Sequence, residues 1–212
     1  MPPESLPVLP PILDYTGFTV FALTGALAAA RGKHDIITFW FFAVVTGIGG
    51  GTLRDLLIGA PVFWIGDPAY LGLGALASIV VWFAGERVGR LAALTWLDAV
   101  GLASYAVIGA GKALALGVNP WVAVAMGVLT ATFGGVIRDV LAVQPSILLK
   151  REISISAGLL AAALYVALTL AQVPALWAGV IGALVGFALR AGAILWGWAL
   201  PAFGEKRGER KA

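Results

Sequence analysis

Cysteine is absent from this chain of 212 residues, and histidine occurs only once, as His34. Without cysteine the chain forms no disulfide and no thiolate metal site, and a single histidine does not make a metal-binding or catalytic cluster. The sequence also lacks a nucleotide-binding loop of the Walker type. We therefore predict that the protein is not an enzyme and that it carries no metal or other cofactor.

Charged residues are also scarce, at 12% of the chain against 60% hydrophobic residues and a mean hydropathy of +0.96. So little polar sequence does not cover a soluble globule of this size, which indicates an integral membrane protein. Seven apolar runs are long enough to cross a hydrocarbon core of about 30 Å as helices. They lie near residues 12–30, 36–59, 69–85, 94–116, 119–142, 153–171 and 175–199. The prediction is a single all-α transmembrane domain spanning residues 1–212, with seven helices.

Basic residues alternate between the loops. The loops after the first, third and fifth runs and the C-terminal tail, residues 200–212, carry Lys and Arg, whereas the other loops and the N-terminal arm carry none. These residues are Arg31, Lys33, Arg87, Arg90, Lys150, Arg151, Lys206, Arg207, Arg210 and Lys211. The positive-inside rule then places the N-terminus outside and the C-terminus in the cytoplasm, in the cell inner membrane. The basic pI of about 9.4 therefore reflects topology and does not indicate nucleic-acid binding.

An internal repeat relates the two halves of the chain. Residues 14–61 align without gaps on residues 98–145, 84 positions later, with 14 identities in 48 positions. Each repeat holds three of the predicted helices, at about 12–85 and 94–171, with the seventh helix at 175–199 outside them. Because three is an odd number, the second repeat enters the membrane from the opposite side. The sequence thus predicts two inverted three-helix repeats plus a seventh helix, a design in which sites lie where interrupted helices meet near the midplane.

Glycine clusters followed by a charged pair occur at matching places in the second and fifth helices. The clusters are Gly49, Gly50 and Gly51 before Arg54 and Asp55, and Gly134 and Gly135 before Arg138 and Asp139. Each glycine inside a helix costs about 1 kcal/mol relative to alanine, so we expect a kink or an unwound turn at the triplet. The alternative is that the glycines only let helices pack closely, as small residues do in membranes.

The charged pairs share a helix face with small and polar residues. The two sets, each spaced four residues apart, are Thr46, Gly50 and Arg54, and Thr130, Gly134 and Arg138. Such a face is suited to lining a wet path, with one arginine about 10 Å to either side of the midplane at 1.5 Å per residue. The alternative is structural, with each arginine paired to Asp55, Asp139 or a carbonyl group.

Three further charged residues lie in the apolar runs. Asp14 and Asp98 come at the start of the first helix of each repeat, where an acidic residue stabilises the helix. They are also possible counter-charges for Arg54 and Arg138. Lys112 has no counterpart, since Ala28 occupies the matching position. It is a candidate gate or pore charge, or a side chain that extends to the outer interface.

These features together resemble the trimeric intracellular cation (TRIC) channel family in its prokaryotic branch. Seven helices, two inverted repeats and the motifs GGGxxRD and GGxxRD in the second and fifth helices carry the resemblance. It implies a homotrimer in which each protomer has a pore lined by the second and fifth helices, conducting monovalent cations, chiefly K⁺ with Na⁺ possible. The residues already named in those helices are then the pore candidates, and Lys112 is an additional one. The partners implied are further copies of the chain, membrane lipids and monovalent cations.

Animal members of that family carry a Lys-Glu-Val stretch and bind inositol phospholipid near it. This stretch is absent here, so the resemblance does not extend to lipid gating by that route. A rival hypothesis is a secondary transporter of a small solute such as an amino acid, because inverted repeats and interrupted helices are also typical of transporters. A third is a scaffold without flux, in which the two arginines only stabilise the fold.

Overall fold

The computed structural model describes residues 11–84, 91–144 and 153–200. This part of the chain contains seven helices, which confirms the predicted all-α class. They are α1 (Pro11–Arg31), α2 (Ile36–Leu57), α3 (Ala69–Ala84), α4 (Leu91–Ala115), α5 (Pro120–Leu141), α6 (Ser154–Leu170) and α7 (Ala175–Trp196). Their ends fall within three residues of the expected ones. Residues 201–212 of the basic tail lie outside the described residues.

The helices differ in length in a regular way. Five of them, α1, α2, α4, α5 and α7, are long and apolar enough to cross a membrane. The third helix of each repeat is shorter, with 16 residues in α3 and 17 in α6. At 1.5 Å per residue these two span about 24–26 Å, slightly less than a typical hydrocarbon core. The basic loop residues 87, 90, 150 and 151 lie outside the described residues, so the orientation in the membrane stays a prediction.

Residues that match each other at the offset of 84 contact each other, or make matching contacts, between the two repeats. A methyl group at Gly17 would overlap the ring of Tyr105, and one at Gly101 would touch the ring of Phe21, which is the residue matching Tyr105. The two rings stack on each other with centroids 5.1 Å apart. Equivalent residues meeting across α1 and α4 place a pseudo-two-fold axis between these rings. This is the internal symmetry expected of inverted repeats.

The same axis passes through the crossing of α2 and α5. A methyl group at Gly50 would overlap the carbonyl oxygen of Thr130, and one at Gly134 would overlap the carbonyl oxygen of Thr46. The absence of side chains therefore brings the two helix backbones into direct contact at the centre of the protomer.

The glycines do not interrupt either helix. Helical backbone continues from Ile36 to Leu57 in α2 and from Pro120 to Leu141 in α5. Of the kink or unwound turn expected at Gly49–Gly51, the unwound turn is therefore wrong, and the kink stays a prediction. The physical reason is that the local cost of glycine is offset by close helix contact, so the alternative of close packing applies.

Candidate functional site

Two buried clusters of charged side chains flank the crossing of α2 and α5. The first cluster consists of Arg54, Asp55 and Lys112. Arg54 donates from Nε to Oδ1 of Asp55 at 2.8 Å, and Lys112 Nζ lies 2.8 Å from the other carboxylate oxygen. The side chains of Arg54 and Asp55 are 2% and 0% exposed, whereas that of Lys112 is 29% exposed. The single carboxylate of Asp55 thus pairs with one dry arginine and with one lysine that solvent still reaches.

The second cluster consists of Asp98, Arg138 and Asp139. Arg138 donates from Nη1 to Oδ1 of Asp98 at 2.8 Å and from Nε to Oδ1 of Asp139 at 2.9 Å. Its Nη2 lies 2.8 Å from the same Asp139 oxygen without the alignment of a hydrogen bond. The side chain of Arg138 is fully buried, so its charge depends on these two carboxylates.

The two clusters lie at opposite ends of α4. Asp98 and Lys112 are 112 − 98 = 14 positions apart on that helix, which corresponds to about 21 Å. Arg54 and Arg138 each fall in the last turn of their own helix. The two arginines therefore lie toward opposite ends of the helix bundle, and their depth relative to the membrane midplane stays a prediction.

Asp14 and Asp98 occupy unlike positions in their helices. Asp14 lies in the first turn of α1, as expected. Asp98 does not start a helix, because α4 begins seven residues earlier at Leu91, so the capping role expected for it is wrong. Its carboxylate instead pairs with Arg138. Among the described residues Asp14 forms no ion pair, but it lies close enough to Arg54 and Lys112 for electrostatic attraction.

Thr46 and Thr130 lie at the centres of α2 and α5. The hydroxyl of Thr130 donates to the carbonyl oxygen of Met126 at 2.6 Å. The buried hydroxyl of Thr46 has no hydrogen-bond partner within the described ranges. The face that the sequence suggested for a wet path is buried here, since Thr46 and Thr130 are 0% and 1% exposed. In this structure it is a helix contact rather than an open channel wall.

Each cluster interacts with a basic side chain from the opposite repeat. Lys112 belongs to the second repeat and joins the first cluster. Arg31, at the end of α1 in the first repeat, interacts electrostatically with Arg138 and Asp139 in the second cluster. Arg31 and the position matching Lys112, Ala28, are three residues apart on α1, so the two contributions are approximately symmetric.

Comparison with known proteins identifies the family. A family model described as "Glycine transporter" matches residues 11–86 and again 95–170, which are the two repeats. The UPF0126 inner membrane protein YadS of Escherichia coli K12 is 38% identical over 198 residues, covering 90% of this chain and 94% of that protein.

Solved structures agree with that assignment. A TRIC trimeric intracellular cation channel orthologue from Rhodobacter sphaeroides is 46% identical, with a TM-score of 0.85 over 88% of this chain and 97% of that one. A second structure, described as a basis for conductance through TRIC cation channels, is 28% identical with a TM-score of 0.82 over 94% of this chain and 99% of that one. The chain is a prokaryotic member of the TRIC family.

TRIC membership confirms the resemblance seen in the sequence and the fold of two inverted repeats plus a seventh helix. The similar structures are of channels and not of enzymes. This confirms the prediction that the protein is not an enzyme. The family model carries a different description, glycine transport. The two descriptions correspond to the two main hypotheses that the sequence left open.

Some side chains of this TRIC protomer were missed from the sequence. Phe63 packs beside the first cluster, with its ring centroid 6.0 Å from the Arg54 guanidinium carbon and 5.9 Å from Lys112 Nζ. Arg190 is 1% exposed in α7. A lone charge in the seventh apolar run was a usable signal for Arg190. No comparable signal marked Phe63, because an aromatic residue in a loop has many ordinary roles.

Proposed function

We propose that this chain is a cation channel that conducts K⁺ in preference to Na⁺ and works as a homotrimer with one pore per protomer. The observation that carries the proposal is the 46% identity and TM-score of 0.85 with the trimeric intracellular cation channel orthologue of Rhodobacter sphaeroides. Both charged clusters and the crossing of α2 and α5 are built within one chain. That arrangement supports a separate pore in each protomer rather than one shared between copies.

The charge balance of the clusters fits cation passage. Arg54 and Lys112 on their own would repel a cation at the first cluster, but Asp55 binds both and Asp14 lies close by. In the second cluster two carboxylates face one buried arginine. Since the cations of both clusters are paired with carboxylates, neither cluster presents the isolated positive charge that would exclude K⁺.

Conduction on this proposal requires α2 and α5 to move apart. Their backbones touch at Gly50 and Gly134, next to the carbonyl groups of Thr130 and Thr46. A contact without interdigitating side chains separates without repacking a core, and the glycines permit local bending. The pore candidates of the proposal are therefore the glycine and threonine residues of this contact and the two clusters.

We place the protein in the inner membrane, with the N-terminus outside and the C-terminus in the cytoplasm. The description of the Escherichia coli relative as an inner membrane protein supports the compartment. The alternation of basic loops supports the orientation. Lipid contacts fall on the exposed apolar faces, such as that of α3 with Leu76, Ile79 and Phe83.

Recording from purified protein in planar bilayers tests the channel proposal. We expect unitary currents in symmetric KCl that shrink when NaCl replaces it, and no saturation of current at moderate salt. Protein-free bilayers and the variant Gly72→Ala, at an exposed α3 position where a methyl group meets nothing within 4 Å, are the controls. Absence of unitary currents from protein that remains folded would reject the channel.

A second candidate, transport of a small amino acid such as glycine, is favoured by the description of the matching family model. It predicts saturable, gradient-coupled uptake of radiolabelled glycine into proteoliposomes and no unitary currents. Running both assays on one preparation separates the two candidates, because a channel gives current without saturable glycine uptake.

A further inference from the structure

The loop between α2 and α3, residues 58–68, folds back over the end of α2. The amide of Phe63 donates to Oδ2 of Asp55 at 3.0 Å, and the amide of Ala60 donates to the Asp55 carbonyl oxygen at 2.9 Å. Oδ2 of Asp55 is also the oxygen that binds Lys112. The loop is therefore tied to the same carboxylate that holds the first cluster together.

The ring of Phe63 covers the first cluster. It lies against Gly51, where a methyl group would approach its Cε1 within 2.5 Å, and it packs edge-on against Tyr70 with centroids 4.8 Å apart. Both cations of the cluster lie about 6 Å from its centre. An apolar ring in this position separates the charged side chains from the loop side of the protomer.

Two side-chain hydrogen bonds hold the loop in place. The indole Nε1 of Trp64 donates to the hydroxyl of Thr52 on α2 at 3.0 Å. The hydroxyl of Tyr15 on α1 donates to the carboxylate of Asp67. The hydrogen bond from Tyr15 is the main reason that the pKa of Asp67 lies below its usual range, and a bond from the amide of Ala69 adds to it. The Asp67 carboxylate is therefore charged at neutral pH.

The sequence of the second repeat does not repeat these side chains. Continuing the offset of 84 residues, the aromatic ring and both hydrogen-bonding pairs are replaced by residues that do not reproduce them. Phe63, Trp64, Thr52, Tyr15 and Asp67 correspond to Ile147, Leu148, Val136, Ala99 and Arg151. The repeats agree at the glycines and the Arg-Asp pairs, which makes this difference specific to one end of the protomer.

We propose that residues 58–68 form a lid over the first-cluster end of the pore, with Phe63 as its plug and with the bonds from Trp64 and Tyr15 as its latches. The proposal rests on the proposed channel function. Opening breaks the two latches and lifts Phe63 from Gly51, which exposes Asp55 to the entering cation. The sequence of the second repeat does not carry the same side chains at the matching positions, so we assign the lid to one mouth only.

Distance measurements test the lid without relying on current. The chain has no cysteine, so spin labels attach only at introduced sites. Ile65→Cys on the loop and Leu116→Cys after α4 suit this purpose, because the native residues are 70% and 54% exposed. In the unlatched double variant Tyr15→Phe/Trp64→Phe we expect a broader and longer label-to-label distance distribution. Trp40→Phe is the matched control, since its indole donates to the Leu71 carbonyl oxygen on α3 and not to a lid or latch residue.

Bilayer recording of the same proteins gives the second readout. We expect the double variant, and separately Phe63→Ala, to raise the open probability several-fold, with Trp40→Phe unchanged. Distances and open probability equal to those of the control would overturn the lid while leaving the channel intact. A broadened distance distribution with no current from any variant would overturn the channel and support a lid that moves.

Discussion

At the scale of single residues, Asp55 is the side chain that holds the first cluster together. Its carboxylate accepts from Arg54, Lys112 and the Phe63 amide while being fully buried. Removing a carboxylate from such a group leaves a buried arginine without its counter-charge, which is more costly than losing the attraction alone. The structure therefore assigns the stability of the first cluster mainly to one residue.

We predict that Asp55→Asn destabilises the folded protein by about 3 kcal/mol. The amide keeps the shape and one acceptor but not the charge that Arg54 and Lys112 require. The measurement is the midpoint of thermal unfolding in detergent. Asp35→Asn is the matched control, because Asp35 is an exposed N-cap of α2 whose oxygen accepts from the Thr38 amide, and asparagine caps equally well.

Lys112→Met, added to Asp55→Asn, removes one of the two cations left without a partner. The double variant should therefore be less destabilised than the sum of the two single variants. If Asp55→Asn proves as mild as Asp35→Asn, the first cluster does not stabilise the fold in the way its geometry indicates.

At the scale of helices, the glycines of α2 and α5 show what a sequence reveals and what it does not. Their number and position predicted that something unusual happens at Gly49–Gly51, and the central contact lies there. Helix propensity alone predicted a kink or an unwound turn, because the scale assigns each glycine a cost without regard to the helix packed against it. The structure has an unbroken helix since the partner helix approaches at those positions, and such an approach depends on tertiary packing that no local pattern encodes.

The central contact gives a prediction for Gly50→Ala and its counterpart Gly134→Ala. Each added methyl group would overlap a threonine carbonyl oxygen across the crossing, so we expect a loss of about 1–3 kcal/mol in unfolding free energy. Gly72→Ala on α3 is the control, since the same change there meets open space and should be neutral or stabilising by about 0.5–1 kcal/mol. Equal unfolding midpoints for all three variants in detergent would show that the two helices do not press together.

At the scale of the whole molecule, the repeat was the feature that could be read most fully from the sequence. The seven apolar runs predicted the helix count, and the offset of 84 residues predicted the inverted arrangement and the matching of Arg54 with Arg138. It did not predict which charges pair, because Lys112 and Arg31 each act on the repeat to which they do not belong. Pairing across the pseudo-two-fold axis is invisible in an alignment of one half on the other.

Pore stoichiometry is the whole-molecule property that the fold constrains most directly. All groups assigned to the pore and its lid lie within one chain, so each protomer of the proposed trimer should conduct and close independently. Since the native chain lacks cysteine, a bulky thiol reagent acts only on protomers carrying Phe63→Cys. Channels built entirely from such protomers should be blocked by the reagent, and wild-type channels should be unaffected.

We predict that in trimers assembled from equal amounts of wild-type and Phe63→Cys chains the thiol reagent abolishes only the current of the Phe63→Cys pores, while the wild-type pores of the same trimers keep conducting, because each pore responds to its own lid. If a single pore were shared by three protomers, the reagent would silence about seven-eighths of the trimers completely, since one modified chain in three closes the pore. Single-channel records separate the cases further. Independent pores leave discrete sublevels in mixed trimers, whereas a shared pore gives trimers that either conduct fully or not at all.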